Sequence, residues 1–184
     1  MVDILELFSD TYFEAREKFL AAAEKLGAEI KSVEHPEKSP EGRPIFMDIA
    51  VHGPEDAETG VLIISGTHGP EAYCGSAIQL GLMDSPELMA RLEGKKLVFV
   101  HGHNPFGWAH NRRGDENNID VNRNYCDFNK PYATNEKYKD VQDLLMPEDF
   151  DEEAEAAIFG WIEEHGEKAF ATAAMVGQRI DPEG

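Results

Sequence analysis

The sequence predicts an α/β fold, a mixed β-sheet flanked by helices. Three observations carry this reading. Short apolar runs, "VLIISG" and "KKLVFVHGH", alternate with segments of helical periodicity. Two β-rich stretches, "AEIKSVEH" and "IFMDIAVHG", flank the turn-forming "PEKSPEGRP" and read as a hairpin, which makes the sheet mixed rather than purely parallel. Between Asn104 and Pro147 periodicity disappears and Asn, Asp, Arg and Tyr dominate. Long irregular segments of that kind in a compact domain are uncommon and usually functional.

Taken in order, residues 3–26 read as one amphipathic helix, with Leu5, Phe8, Tyr12, Phe19, Ala23 and Leu26 near one face and Gly27 to end it. The hairpin follows, then the fully apolar strand "VLIISG". "EAYCGSAIQLGLMD" reads as a helix. "SPELMARLEG" reads as another, with Ser85 as N-cap and Pro86 at the first helical position. "KKLVFVHGH" is the next buried strand. From about Asp149 to Met175 the helical pattern returns, with Ile158, Trp161, Ile162 and Phe170 as expected buried positions. A length of 184 residues fits one α/β domain, residues 1–184, with a substantial core.

The bulk numbers exclude several functions. A net charge of −19 argues against a nucleic-acid partner, which needs Lys and Arg clusters to displace counterions. No apolar run approaches the ~20 residues that span a bilayer. The N-terminus, "MVDILELFSD", lacks the basic-then-apolar pattern of a secretory signal, so a cytoplasmic location and no membrane partner are expected. Two cysteines, Cys74 and Cys126, are too few for a disulfide framework and lack metal-type spacing, so free thiols are expected.

In an α/β sheet, ligands sit beyond the carboxyl ends of parallel strands. Two segments leave such ends. The first, "SGTHGPEA", offers His68 and Glu71. Imidazole nitrogen and carboxylate oxygen are both zinc donors, and a catalytic zinc site uses three protein ligands plus an open position. The two converge if Glu71 opens a helix turn, although a loop histidine beside a first-turn glutamate is an equally ordinary structural feature. The second, "HNPFGWAHNRRGDENNIDVNRNY", concentrates Arg112, Arg113 and Arg123 in a chain poor in cations. Arginine forks bind carboxylates at two points. Asn122 can orient a polar substrate group. The arginines could equally neutralise Asp115, Glu116 and Asp120 in a structural network.

"SGTHGPEAYCGSAIQ" and "RRGDENNIDVNRNYCDF" together resemble the zinc carboxypeptidase superfamily, which includes carboxypeptidase A, succinylglutamate desuccinylase and aspartoacylase. An uncharacterised bacterial branch is similar throughout, from about residue 40 to the closing "GQRIDPEG". The resemblance implies a zinc-carboxypeptidase-like (phosphorylase/hydrolase-like) fold, of which this chain would be the N-terminal portion or a shortened relative, and in either case incomplete. It implies His68 and Glu71 as the first two zinc ligands, and Asn122 and Arg123 as the pair that holds a substrate carboxylate. Arg113, or in second place Arg112, would polarise the scissile carbonyl, and Asp120 would support the loop.

The implied activity is zinc-dependent cleavage of an amide bond next to a carboxylate, in a peptide or an N-acyl amino acid. A third ligand, a later histidine, and a general-base glutamate have no match in the chain. His101, His103 or His110 would have to supply the ligand, the first two as an H-x-H pair with both rings on one strand face. Zinc is therefore expected to bind weakly or not at all to this chain alone. A non-catalytic domain binding a carboxylate-bearing small molecule or peptide is the alternative. A homo-oligomer is also expected, because the strands that the family adds later would leave an open sheet edge if missing.

Overall fold

The computed structural model describes residues 4–125, 127, 129–131 and 134–179. Cys126 and the end of "GQRIDPEG" lie outside the described residues; Cys74 is a free, exposed thiol. The fold is α/β, with a four-stranded mixed sheet and flanking helices. The chain divides into two compact units, Met1–Asn122 and Arg123–Gly184. Among the described residues no helix is long and apolar enough to cross a membrane.

The first unit opens with a 3-10 turn, Ile4–Leu7, and helix α1, Tyr12–Leu26. The single helix expected from residue 3 is broken because Thr11 caps α1: its hydroxyl accepts from the Glu14 N–H, and Glu14 in turn accepts from the Asp10 N–H. A reciprocal cap of this kind satisfies orphan donors and fixes where a helix starts. Leu5 and Phe8 are consequently exposed, outside the helical stripe in which periodicity puts them. Gly27, with φ of 72°, closes the helix in the left-handed conformation that glycine adopts without cost.

Strands β1 (Glu29–Lys38), β2 (Pro44–His52), β3 (Gly60–Ile64) and β4 (Lys96–His101) form the sheet in the order β1-β2-β4-β3. β1 and β2 are the expected antiparallel hairpin, β2 pairs antiparallel with β4, and β3 pairs parallel with β4. Helices α2 (Gly69–Met83) and α3 (Pro86–Arg91) make the crossover between the two parallel strands. Ser85 caps α3 as its sequence predicts, accepting from the Leu88 N–H.

Strand alternation sends Ala50, Leu97 and Phe99 to one face, where Phe19 and Ala23 of α1 and Leu80 and Met83 of α2 bury them. Each large side chain fully withdrawn from water here contributes about 1.5–3 kcal/mol. The opposite face carries Leu62 and Ile64 of β3, which are 60% and 46% exposed. These two side chains are left uncovered, and β3 is also an edge strand. It contains no charge and no proline, the devices that usually guard an edge. The other edge, β1, is guarded by Glu29, Lys31, Glu34 and Glu37.

Two buried polar side chains, Asp48 and Tyr12, tie helix to sheet. Asp48 is fully buried in β2, and Arg16 of α1 donates to both its oxygens, at 2.7 and 3.0 Å, while the Ser32 hydroxyl donates to one of them. A buried carboxylate is tolerated only with such a partner set. Tyr12 is locked by its hydroxyl, which donates to the Phe46 carbonyl and accepts from the Phe46 N–H; burial pushes its pKa up to about 12.

His101 ends β4 fully buried, stacked on Phe19 with ring centroids 4.3 Å apart, and its Nε2 lies 3.0 Å from the Ser76 hydroxyl. Burial first, and the nearby Arg16 charge second, push its pKa down to about 3.

The second unit is helical. It comprises a 3-10 turn, Glu136–Asp140, and helices α5 (Gln142–Leu145), α6 (Glu152–His165) and α7 (Glu167–Met175). The continuous helix expected over 149–175 is interrupted at Gly166, whose φ of 89° is not helical. Asp151 caps α6, and the acidic first turn of Glu152, Glu153 and Glu155 suits the helix dipole. Trp161, Ile162, Ile158 and Phe170 are half-buried, whereas Tyr138, Val141 and Ala173 form the buried centre.

The state of His101 gives stability a defined pH dependence. The folded chain holds the ring neutral down to about 3, while the unfolded chain protonates it near the ordinary 6.5. Between those values the unfolded state binds the extra proton, so stability is full above about 6.5 and is lost as pH falls toward 3. The expected slope from this one group is roughly 1.4 kcal/mol per pH unit. Urea unfolding at several pH values checks it: His101→Phe should flatten the profile by about one proton, and an unchanged slope would contradict the buried neutral ring.

Candidate functional site

Parallel pairing of β3 and β4 brings the two loops that follow them together. The ladder continues past the strands: the Ser65 N–H donates to Val100 O, the His103 N–H to Ser65 O, and the Asn104 N–H to Gly66 O. Two glycines permit this approach. Gly66 (φ 75°) and Gly102 (φ 68°) both adopt left-handed conformations, and a Cβ on Gly66 would lie 3.0 Å from the Gly102 Cα. Beyond Gly102, Asn104 caps the short helix α4 (Pro105–Ala109) by accepting from the Gly107 N–H.

Helix α2 starts at the end of the β3 loop with His68 as its N-cap residue and Glu71 in its first turn. That spacing explains why the two side chains converge. A side chain at the third helical position reaches back toward the cap residue, the geometry that a capping box uses. His68 Nδ1 and Glu71 Oε1 are 3.4 Å apart.

The start of α2 is pinned from the other loop, since the Gly69 N–H donates to Arg112 O and the Arg112 N–H donates to Gly107 O. Any side chain on Gly69 would strike the Gly107 carbonyl, with a Cβ only 2.0 Å from its oxygen. The requirement for glycine in "THGPE" is thus a packing requirement between the two loops.

The loop after α4 brings Asp120 onto His68. Asp120 Oδ1 lies 2.8 Å from His68 Nε2, and the Asp120 carboxylate also accepts from the Asn122 N–H at 2.9 Å and from Arg113 Nε at 2.9 Å. Partial burial pushes the Asp120 carboxyl up, but the hydrogen bonds from His68, Asn122 and Arg113 outweigh it and hold it below the ordinary carboxylate range. An ionised carboxylate can only accept, so Nε2 of His68 carries the proton. The Nδ1 of the same ring faces the Glu71 carboxylate at 3.4 Å: as a bare lone pair it forms with Glu71 a pair of acceptors that a cation can bridge, and with a second proton it donates to Glu71. An outer carboxylate that fixes the ring leaves the inner nitrogen as a ligand, as in histidine metal sites generally.

Of the two candidate arginines, the structure brings Arg113 to the cluster. Its Nη1 lies 3.4 Å from Glu71 Oε1, and its Nε donates to Asp120. The Arg112 side chain donates instead to Asn118 Oδ1, and Arg112 serves the site through its backbone. Asn122 and Arg123 follow in the 3-10 turn Val121–Arg123. Asn122 closes the first unit with its N–H on Asp120, and Arg123 begins the second.

The candidate third ligands stand elsewhere. His101 is engaged in the core as described. The His103 ring lies 3.4 Å from the Thr67 hydroxyl, and His110 donates through Nε2 to Lys38 O and stacks on Phe106. The expected H-x-H geometry fails because β4 ends at His101 and Gly102 turns the chain. Among the described residues, no group of three or more His, Cys, Asp or Glu side chains is placed to hold a metal ion. The donor set is therefore a half-site, one imidazole nitrogen and one carboxylate, chemically suited to zinc but one protein ligand short of a complete centre.

The sequence reading did not identify Asp120 as the partner of His68. Its signal was its place two residues before Asn122, in a loop otherwise read for its arginines.

The first unit is thus an α/β body with a histidine–carboxylate–arginine cluster at the carboxyl end of its parallel strand pair. The chain belongs to the family described as "Protein of unknown function (DUF2817)", whose model matches residues 8–184. Among curated proteins, no sequence matches the chain significantly.

Solved structures similar to it include three glutaminyl cyclases. That of Fimbriiglobus ruber is 14% identical with a TM-score of 0.38, over 53% of this chain and 41% of that one. That of Macrostomum lignano is 17% identical with a TM-score of 0.34, over 50% of this chain and 31% of that one. That of Porphyromonas gingivalis is 17% identical with a TM-score of 0.30, over 52% of this chain and 45% of that one. The match spans less than half the length of each, and TM-scores this low define neither fold nor site.

The hydrogen bond to Asp120 makes a prediction free of any activity. In the metal-free protein, above the pH at which histidine titrates, nitrogen NMR should find His68 protonated at Nε2 and bare at Nδ1. Asp120→Ala should leave a mixture of the two tautomers. A wild-type ring protonated at Nδ1 would overturn the assignment.

Proposed function

We propose that the chain carries part of the active site of a zinc-dependent hydrolase of the metallocarboxypeptidase or N-acyl amino acid deacylase type. It would cleave an amide bond next to a carboxylate, within a zinc-carboxypeptidase-like fold. The observation that carries this reading is the state of His68, with Nε2 held by Asp120 and Nδ1 directed at Glu71. The two long motifs that resemble the zinc carboxypeptidase superfamily support it independently.

His68 and Glu71 are the residues that would hold zinc. Bound there, zinc would supply Lewis-acid activation of a water and of the amide carbonyl. Asp120 would keep the His68 ring oriented and its inner nitrogen free of a proton. Arg113, in preference to Arg112, would offer its guanidinium to the negative charge that builds on the carbonyl oxygen during attack. Asn122 and Arg123 would hold the substrate carboxylate, Arg123 in two-point geometry. With two ligands and no assigned general base, this chain alone is expected to bind zinc weakly and not to turn substrate over.

A non-catalytic domain for carboxylate-bearing small molecules or peptides is the second reading. It is favoured by the ion pairs of Arg113, which bridge both carboxylates and offset part of their charge without a metal ion.

Zinc titration against a chromogenic chelator tests the first reading. Weak binding that His68→Ala abolishes is expected. Affinity unchanged by that substitution would move any zinc site elsewhere, and about one zinc per chain surviving dialysis against chelator would contradict the two-ligand reading.

Self-association belongs to the same proposal. The bare β3 edge and the exposed Leu62 and Ile64 offer backbone pairing and apolar contact to a second copy. Light scattering should report a dimer or larger species that Leu62→Lys weakens, whereas a monomer at high concentration would remove this part.

A further inference from the structure

We propose that Arg113 is a built-in competitor for the cation at His68 and Glu71: its guanidinium occupies the ligand carboxylate, so a divalent ion must displace it to bind. The inference rests on the half-site proposed above and concerns how that site is loaded. Arg113 makes two contacts at once. Nη1 lies 3.4 Å from Glu71 Oε1, the same oxygen that faces His68 Nδ1, and Nε donates at 2.9 Å to Asp120 Oδ2. One side chain thus touches a prospective metal ligand and the carboxylate that orients the other ligand.

The positive fork performs electrostatically what a cation would do there. It neutralises Glu71, and it places a fixed charge of the same sign within a few ångströms of an incoming ion. The loop geometry sustains the arrangement, because the residue before it is anchored through Gly69 N–H···O Arg112 and Arg112 N–H···O Gly107. Arg113 and Glu71 side chains are 51% and 60% exposed, so water screens their attraction and the guanidinium is displaceable rather than locked. Displacement from Glu71 releases the Nη1 contact alone, since Arg113 holds Asp120 through Nε, and the guanidinium is then open to an anionic ligand. Loading the cation and presenting the arginine to an anionic ligand are then a single event.

The test is zinc affinity, read by chelator competition on wild type, Arg113→Gln, Arg113→Lys and Arg112→Gln, with circular dichroism to check folding. Removing the charge in Arg113→Gln should tighten zinc about three- to tenfold, a gap that narrows as salt is raised. Arg113→Lys, which keeps the charge, should stay close to wild type, and Arg112→Gln should not change, since its side chain lies on Asn118. Wild-type binding that depends on His68, with Arg113→Gln no tighter, would overturn the competition and leave the half-site standing. An equal gain in Arg112→Gln would reduce it to a general charge effect and overturn it too. If none of the four proteins binds zinc, the competition and the half-site fall together.

Discussion

Everything at the site depends on the parallel pairing of β3 with β4. Parallel strands end at the same side of a sheet, so the loops that follow them emerge side by side. Here the pairing extends beyond the strands through Ser65, Gly66, His103 and Asn104, and the loops are held backbone to backbone before any side chain contributes. The glycines at 66 and 102 are what allow that closeness. A second glycine contact, Gly69 against Gly107, repeats the device one turn further out and seats the first turn of α2 against the arginine-bearing loop. His68 and Glu71 come from one stretch of sequence and Arg113 and Asp120 from another, and backbone packing between the two loops sets where they meet.

Legibility from sequence followed the physics of each signal. The hairpin, the two apolar strands and the crossover helix were readable because burial imposes a period on side-chain type, and those periods survive in the sequence. Helix limits were readable where a cap residue marks them, as at Ser85 and Gly27, and misjudged where a cap lies inside an apolar stripe. Thr11 and Gly166 each split what periodicity alone joins.

The uncovered face of β3 was not foreseen, because a strand of five apolar residues looks the same whether one face or both are buried. His68 and Glu71 were recognisable as a pair because a cap position and a third helical position converge by construction. The bond from Asp120 to His68 spans 52 residues of chain. No local period encodes such a contact, so only the fold displays it.

The choice between Arg112 and Arg113 shows the same limit at its smallest scale. Adjacent residues in a loop point to different sides, and which one faces the site depends on the backbone turn. That turn is set by Arg112 itself, whose N–H and carbonyl are both used to clamp Gly107 and Gly69. Arg112 contributes through its main chain, which any residue possesses, and Arg113 through its guanidinium, which few residues in this chain can replace.

Charge balance explains why that guanidinium matters. With 36 acidic side chains against 17 basic ones, a carboxylate pair near the surface would ordinarily repel itself or take up a proton. Glu71 and Asp120 share His68 and Arg113, one ring between them and one cation across them. The single guanidinium offsets half of the charge that two ionised carboxylates carry. Two carboxylates make the cluster a poor seat for a simple anion, and its one guanidinium is held by the two groups that would otherwise face each other without a cation between them.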